Sequence, residues 1–132
     1  MPSEQSTTSV RVTGENAMKQ LMEQTAVEKT QKAILLRCRD AIKAIASSSE
    51  VIFYGARARR DALPDSDYDL LIVADGPATL EQEDRFRRSI YPIELETGAV
   101  LTVIFVARTD WNSPLYDSMP FYRNIKREGI VL

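Results

Sequence analysis

The sequence contains no histidine and only one cysteine, Cys38. Without imidazole there is no Ser-His-Asp or Cys-His nucleophile, no histidine general base and no zinc site with histidine ligands. A single cysteine cannot form an internal disulfide, so a disulfide-stabilised secreted scaffold is excluded and a reducing cytoplasmic setting is expected. Metal chemistry must therefore rest on oxygen ligands, which favours magnesium, manganese or calcium.

Long hydrophobic runs and a net positive charge are also missing. The longest apolar stretches, such as 103–107, span only a few residues, whereas a helix needs about 20 to cross a bilayer. The N-terminal segment lacks the basic and apolar regions of a signal peptide. The net charge is −2 and the pI about 5.2, which argues against direct nucleic-acid binding through overall positive charge. We expect a cytoplasmic protein without a membrane segment.

The length of 132 residues suits one domain with a modest core. Residues 1–13 are rich in Ser and Thr and show no periodicity, which predicts a flexible tail, and residues 14–132 are predicted to form a single domain. Apolar residues at helical spacing predict helices over 15–47. A break is expected near Thr25, because Thr25 and Glu28 match a capping box.

The rest of the chain alternates between strand and helix patterns. Segments rich in β-branched and aromatic residues predict three strands, at 51–54, 68–74 and 100–107. Helices are predicted after Gly55, from Thr79 until Pro92 kinks or ends the helix, and over 120–128. This order predicts an α/β (α+β) fold with a small mixed β-sheet of about three strands flanked by helices.

Charge is distributed unevenly along the chain. Residues 32–60 carry seven basic and two acidic side chains, a balance of +5, whereas residues 61–84 carry eight acidic and no basic ones, a balance of −8. A cationic segment beside an acidic one suits a metal-bound triphosphate, because arginines bind phosphate oxygens and carboxylates bind cations. Charge alone leaves open the alternative of two solvated loop faces of opposite sign.

The spacing at this change of sign is more specific. Asp67 and Asp69 lie two residues apart at the start of an apolar strand, so both carboxylates project from one face. Adjacent carboxylates repel each other unless a cation neutralises them. Gly55 follows a buried strand directly, which allows a sharp turn and the close approach of a ligand. The first N–H groups of a short helix from Ala56 would favour an anion, and ten residues separate Ala56 from Asp67.

Other acidic motifs were compared with this segment. Asp65, Asp67 and Asp69 resemble the start of an EF-hand loop, but Leu70 stands where glycine is needed and Gly76 where glutamate is needed. The calcium-loop interpretation is therefore excluded. A lone Asp-x-Asp also occurs in glycosyltransferases that bind nucleotide sugars, although those domains are usually far larger, and this alternative stays open.

The combined motif, FYGARAR at 53–59 followed by SDYDLL at 66–71, resembles the DNA-polymerase-β-like nucleotidyltransferase superfamily. It is most similar to the small, stand-alone minimal nucleotidyltransferases of that superfamily. Their motif is a hydrophobic residue, Gly-Ser-x-Ala-Arg-Gly and then Asp-x-Asp, with ten residues between the Gly-Ser pair and the first aspartate. The strict match covers about 17 residues, and the order of elements agrees from about residue 30 onward.

The resemblance implies metal-dependent nucleotidyl transfer of the two-metal type. Asp67 and Asp69 would be the catalytic residues and the ligands of Mg²⁺ or Mn²⁺. The nucleotide phosphates would be bound by a further set of residues: Gly55, Ala56, Arg57, Arg59 and Ser66. An acceptor hydroxyl would attack the α-phosphorus of a nucleoside triphosphate, for which ATP is expected, and pyrophosphate would leave.

The resemblance also indicates which molecules could accept the nucleotidyl group. Minimal members of the family are often paired with a separate helical HEPN-domain protein, in some pairs as toxin and antitoxin with adenylylation of the partner. It therefore implies transfer of AMP to a hydroxyl of a protein or a small molecule, with a separate HEPN-domain protein as a candidate partner.

Three departures from the family pattern point to an alternative function. The motif serine is Ala56, and the second motif glycine is Arg60. The third carboxylate, which active members carry on the next strand, corresponds to Thr102. Glu94 and Glu96 precede that strand and are candidates to replace it, the alternative being a solvated helix end. The alternative function is a catalytically weak or inactive nucleotide-binding or regulatory module of the same fold.

Three aromatic residues near the C-terminal end have two interpretations. Trp111, Phe121 and Tyr122 are candidates to line a base pocket or a partner surface. Packing in the core or in a surface cluster is the simpler expectation.

Overall fold

The computed structural model describes residues 19–20, 29–60 and 66–132. Their elements, in chain order, are β1 (Lys19–Gln20), α1 (Lys29–Ile45), β2 (Glu50–Tyr54), α2 (Ala56–Arg59), β3 (Tyr68–Ala74), α3 (Leu80–Thr97), β4 (Leu101–Ala107), α4 (Arg108–Trp111), α5 (Pro114–Ser118), α6 (Pro120–Glu128) and β5 (Ile130–Val131). The predicted tail at 1–13 and the predicted capping box at Thr25 lie outside these residues. Within the described ranges, no helix combines the length and apolar composition that a membrane crossing requires.

The strands form one mixed sheet in the order β1-β5-β2-β3-β4. Strand β2 runs antiparallel to β3 and β5, whereas β3 pairs in parallel with β4, and β1 pairs in parallel with β5. The predicted α/β fold and its three main strands are confirmed. Two strands of two residues each extend the sheet beyond β2.

Strand β1 corrects one expectation. The apolar spacing predicts helix over 15–47, but Lys19–Gln20 forms a strand that pairs with Ile130–Val131. The backbone groups of β5 offer hydrogen bonds that a local helical pattern does not take into account, and such tertiary pairing overrides weak propensity.

Pro92 does not end its helix, which was one of the two outcomes expected there. Helix α3 continues to Thr97, and Gly98 terminates it in the left-handed conformation with φ 77°. Proline inside a helix costs about 3 kcal/mol, but Ile90 and Ile93 on either side of it are buried. Burial of each of these side chains contributes about 1.5–3 kcal/mol, which offsets the cost.

The two faces of the sheet are covered to different extents. Helices α1 and α3 pack on one face and form the main core, whose fully buried members include Leu35, Ile42, Phe53, Leu70, Phe86 and Ile90. On the other face a smaller cluster joins Trp111 and Ile125 to strand residues such as Leu71 and Val106. At the start of β3 this second face is less covered, because Asp67 is exposed and Asp69 is only half-buried.

Side chains of α3 form hydrogen bonds with backbone groups along the free edge of β4, the last strand of the sheet. Glu94 Oε2 accepts a hydrogen bond from the Leu101 amide at 2.8 Å. Arg87 Nη2 donates to the Val103 carbonyl at 3.4 Å, and Glu83 Oε2 accepts from the Phe105 amide at 3.0 Å. Because an unpaired edge can template pairing with another chain, these contacts protect the sheet from edge-to-edge association.

We expect Glu83→Ala to lower the free energy of unfolding by about 2 kcal/mol, because it leaves the amide of buried Phe105 without its acceptor. Urea denaturation measures the loss, and light scattering should show more aggregation. The control is Glu81→Ala, since Glu81 is an exposed glutamate in the same first helical turn. Equal losses in the two variants would mean that the charge at the helix start, and not the edge contact, is responsible.

Candidate active site

Three polar side chains lie side by side across three strands. Tyr54 on β2 is paired with Asp69 on β3, and Asp69 is paired with Thr102 on β4, so all three project from the same face of the sheet. Thr102 Oγ1 donates to Asp69 Oδ1 at 2.6 Å. Asp67 directly precedes β3 and is exposed. The shared face of the two aspartates, which the sequence spacing predicted, stays a prediction.

Gly55 turns the chain directly beside Asp69. Its φ of 87° and ψ of −164° lie in a region that side chains rarely adopt. A Cβ at this position would collide with Asp69 Oδ2 and would lie 3.2 Å from Asp69 Cγ. The sequence predicted a sharp turn and the close approach of a ligand here, and the group that lies against the turn is the Asp69 carboxylate of the protein itself. Glycine is therefore what allows the turn and the acid to lie together.

The arginines of α2 make contacts within the protein. Arg57 Nε donates to the Ser66 carbonyl at 2.9 Å, and its guanidinium lies 4.4 Å from the centre of the Tyr68 ring. Arg59 Nη1 lies 3.8 Å from Glu128 Oε1. Arg57 thus ties the helix that follows Gly55 to the residue that precedes Asp67. This contact orients the turn and the acid pair relative to each other.

Tyr54 was not singled out by the sequence reasoning. Burial raises the pKa of Tyr54 to about 12, and the Asp69 carboxylate and Tyr122 contribute further. The phenol therefore keeps its proton at neutral pH and is a hydrogen-bond donor rather than an anion. Its position beside Asp69 depends on strand register, and the only sequence signal is that it directly precedes Gly55.

Glu94 and Glu96, the candidates for a third carboxylate, have other partners. Glu94 binds the Leu101 amide, as described above, and Glu96 pairs with Arg37 at 2.7 Å. In the described part of the chain, no group of three or more Asp, Glu, Cys or His residues is placed to hold a metal ion. Asp67 and Asp69 provide a pair of carboxylates without thiol or imidazole, a donor set that suits Mg²⁺ or Mn²⁺.

The class of the protein is an α/β domain whose small mixed sheet carries an acidic pair, at the start of β3, close to a glycine turn. The chain matches the family model of the nucleotidyltransferase domain over residues 35–132, and it belongs to that family. The matched range includes all the candidate site residues. The predicted resemblance is confirmed, and nucleotidyl transfer is the general chemistry of the family. No curated protein and no solved structure matches the chain significantly.

Proposed function

We propose that the protein transfers AMP from ATP to a hydroxyl group of a protein or small molecule, with Mg²⁺ or Mn²⁺ held by Asp67 and Asp69. The observation that carries the proposal is the contact between the Gly55 turn and the Asp69 carboxylate. This contact brings two motifs to one end of the sheet: the Gly55 turn, assigned to the phosphates, and the segment with Asp67 and Asp69, assigned to the cations. The family match supports nucleotidyl transfer as the reaction.

The proposed mechanism gives each residue a separate task. Thr102 orients Asp69 through its hydrogen bond, and exposed Asp67 faces the incoming nucleotide. Gly55 leaves room for the Asp69 carboxylate against the turn, and Ala56 keeps the backbone N–H although it lacks the motif hydroxyl. When bound, the cations neutralise charge on the triphosphate. The acceptor hydroxyl oxygen forms a bond to the α-phosphorus and loses its proton to solvent, while the α–β phosphoanhydride bond breaks and pyrophosphate leaves with its electron pair.

The acceptor is proposed from the family resemblance. Minimal nucleotidyltransferases are often paired with separate HEPN-domain proteins, which makes a hydroxyl of such a partner the first acceptor to test. A toxin–antitoxin relationship would follow if adenylylation altered the activity of that partner.

The proposal is tested with ATP labelled at the α-phosphate, Mg²⁺ or Mn²⁺, and candidate acceptors that include a HEPN-domain protein. Label should appear on the acceptor, and pyrophosphate should be released in equal amount. ATP labelled at the γ-phosphate is the control, because nucleotidyl transfer leaves that label in pyrophosphate. Transfer of the γ-label, or no transfer with any acceptor, would contradict the proposal.

A second candidate function is a nucleotide-binding module with little or no turnover. The observation that favours it is the position of Thr102, which places a hydroxyl against Asp69 on the strand where active members carry a third carboxylate. Such a module would bind ATP in the presence of metal, as measured by calorimetry. It would release no pyrophosphate, whatever acceptor is supplied.

The variant Thr102→Asp distinguishes the two functions. It places a carboxylate beside Asp69, and we expect transfer to increase by about 10²-fold, the lower range of a general-base contribution. Thr102→Asn is the control, because asparagine has nearly the same shape as aspartate but carries no charge. Rates of label transfer should rise only for the aspartate variant. Equal rates for the two variants would show that the missing carboxylate does not limit transfer.

A further inference from the structure

A cavity of about 180 Å³ lies directly beside the Gly55 turn. Tyr54 and Gly55 form its wall on the side of the proposed phosphate site, and Phe121 and Asn124 of α6 form the opposite wall. The cavity thus begins where the proposed phosphate site ends. A ligand with its phosphates at Gly55 could place an attached group between β2 and α6.

The walls of the cavity suit a flat aromatic group. Phe121 is 46% exposed, and its ring meets the rings of Tyr54 and Tyr122 edge to face, with 5.9 and 5.1 Å between the centroids. Aromatic side chains bind nucleobases by stacking. The volume is sufficient for one heterocycle.

The polar groups of the cavity are few, and their charges are balanced. Arg59 and Glu128, which both line it, face each other at 3.8 Å, so the cavity presents a paired cation and anion. Asn124 adds an amide whose Oδ1 accepts a hydrogen bond from Arg127 at 2.9 Å. That contact uses one lone pair of Oδ1 and neither of the two N–H donors. A neutral ligand with an adjacent donor and acceptor would match this amide.

We infer that this cavity binds the base of the nucleotide, with Phe121 as the stacking platform and Asn124 as the residue that selects adenine. The inference rests on the proposed function and adds the source of its nucleotide specificity. Adenine presents N6–H and N7 side by side, and an asparagine amide can pair with both. Guanine presents two acceptors, O6 and N7, along the same edge, so the amide oxygen would face an acceptor.

Calorimetry with ATP, GTP and inorganic tripolyphosphate, each with Mg²⁺, tests the inference. The full chain should bind ATP at least about tenfold more tightly than GTP or tripolyphosphate. Phe121→Ala should weaken ATP binding by about tenfold and leave tripolyphosphate binding unchanged. Asn124→Leu should remove the preference for ATP over GTP. Both residues are exposed, so these changes leave the core intact.

Leu115→Ala is the matched control, because Leu115 is an exposed apolar residue of α5 that does not line the cavity. Equal affinities of the full chain for ATP and tripolyphosphate would overturn the base site while leaving the proposed function intact. Failure of both ligands to bind would overturn both proposals. If Phe121→Ala raised the KM for the acceptor and left ATP affinity unchanged, an acceptor side chain would occupy the cavity and the inference would be wrong.

Discussion

Asp69→Asn is expected to reduce nucleotidyl transfer by about 10³-fold, because it removes the carboxylate charge from the centre of the site. The amide has nearly the shape of the carboxylate, and its oxygen can still accept the hydrogen bond from Thr102. The fold should therefore persist while both the affinity for Mg²⁺ and the transfer rate fall. Label transfer from α-labelled ATP over a range of Mg²⁺ concentrations measures both effects.

The control for this change is Asp40→Asn. Asp40 is an exposed aspartate of α1 that binds Arg39, so the variant loses the same charge outside the candidate site. Its transfer rate should equal that of the unmodified protein. If Asp69→Asn kept full transfer and full Mg²⁺ affinity, the assignment of Asp69 as a metal ligand would be wrong. Thermal unfolding of both variants separates a chemical effect from a loss of structure.

Gly55→Ala is expected to abolish transfer and to destabilise the fold by about 3 kcal/mol. The backbone conformation of Gly55 alone costs other residues about 1–3 kcal/mol. The added Cβ would collide with Asp69 Oδ2, and relief of this overlap adds a cost of about 1–3 kcal/mol. Asp69 would have to move away from the turn, so activity is lost even where the protein still folds. Urea denaturation and label transfer give the two parts of this result.

Gly98→Ala isolates the contribution of the backbone. Gly98 also has positive φ, at 77°, but a Cβ added there meets no atom within 4 Å. This variant should lose only about 1–2 kcal/mol, the usual cost of a left-handed residue, and should keep its transfer rate. If the two glycine variants lost equal stability and both kept activity, the close approach of Gly55 to Asp69 would have no functional importance.

The main strands could be predicted from the sequence because they are buried. Residues 68–74 are apolar almost throughout, and α1 and α3 cover one face of this strand while the Trp111 and Ile125 cluster lies on the other. The strands at Lys19–Gln20 and Ile130–Val131 could not be predicted, since two residues carry no periodicity and their pairing depends on a distant part of the chain. The continuation of α3 through Pro92 likewise depends on packing.

Spacing along the chain was informative for the candidate site where the groups are close in sequence. It predicted the turn at Gly55, and it placed the two aspartates at the start of a buried strand, where Asp69 is the second residue of β3. Thr102 lies beside Asp69, and its correspondence to the third carboxylate of the family motif stays a prediction. Tyr54 was missed because its place depends on strand register.

The long charged side chains near the site were harder to assign. Arg57 was predicted to bind phosphate, and this stays a prediction; the structure places its Nε on the Ser66 carbonyl. Glu94, a candidate third carboxylate, instead binds a backbone amide at the start of β4. A long charged side chain reaches many partners, and sequence alone does not show which partner is within reach.

The two faces of the sheet are covered unequally. The face packed against α1 and α3 provides most of the stability, whereas the proposed site lies on the other face. Thr102 lies on the less covered face, and Asp67 is exposed directly before β3, both outside the main core formed with α1 and α3. Under the proposed function, substitutions at these positions would alter the reaction at little thermodynamic cost, which would give the domain evolutionary latitude in what it modifies. Gly55 is the exception, because its conformation and its contact with Asp69 couple folding to the site. Substitution of Gly55 would therefore lower the stability and the activity together.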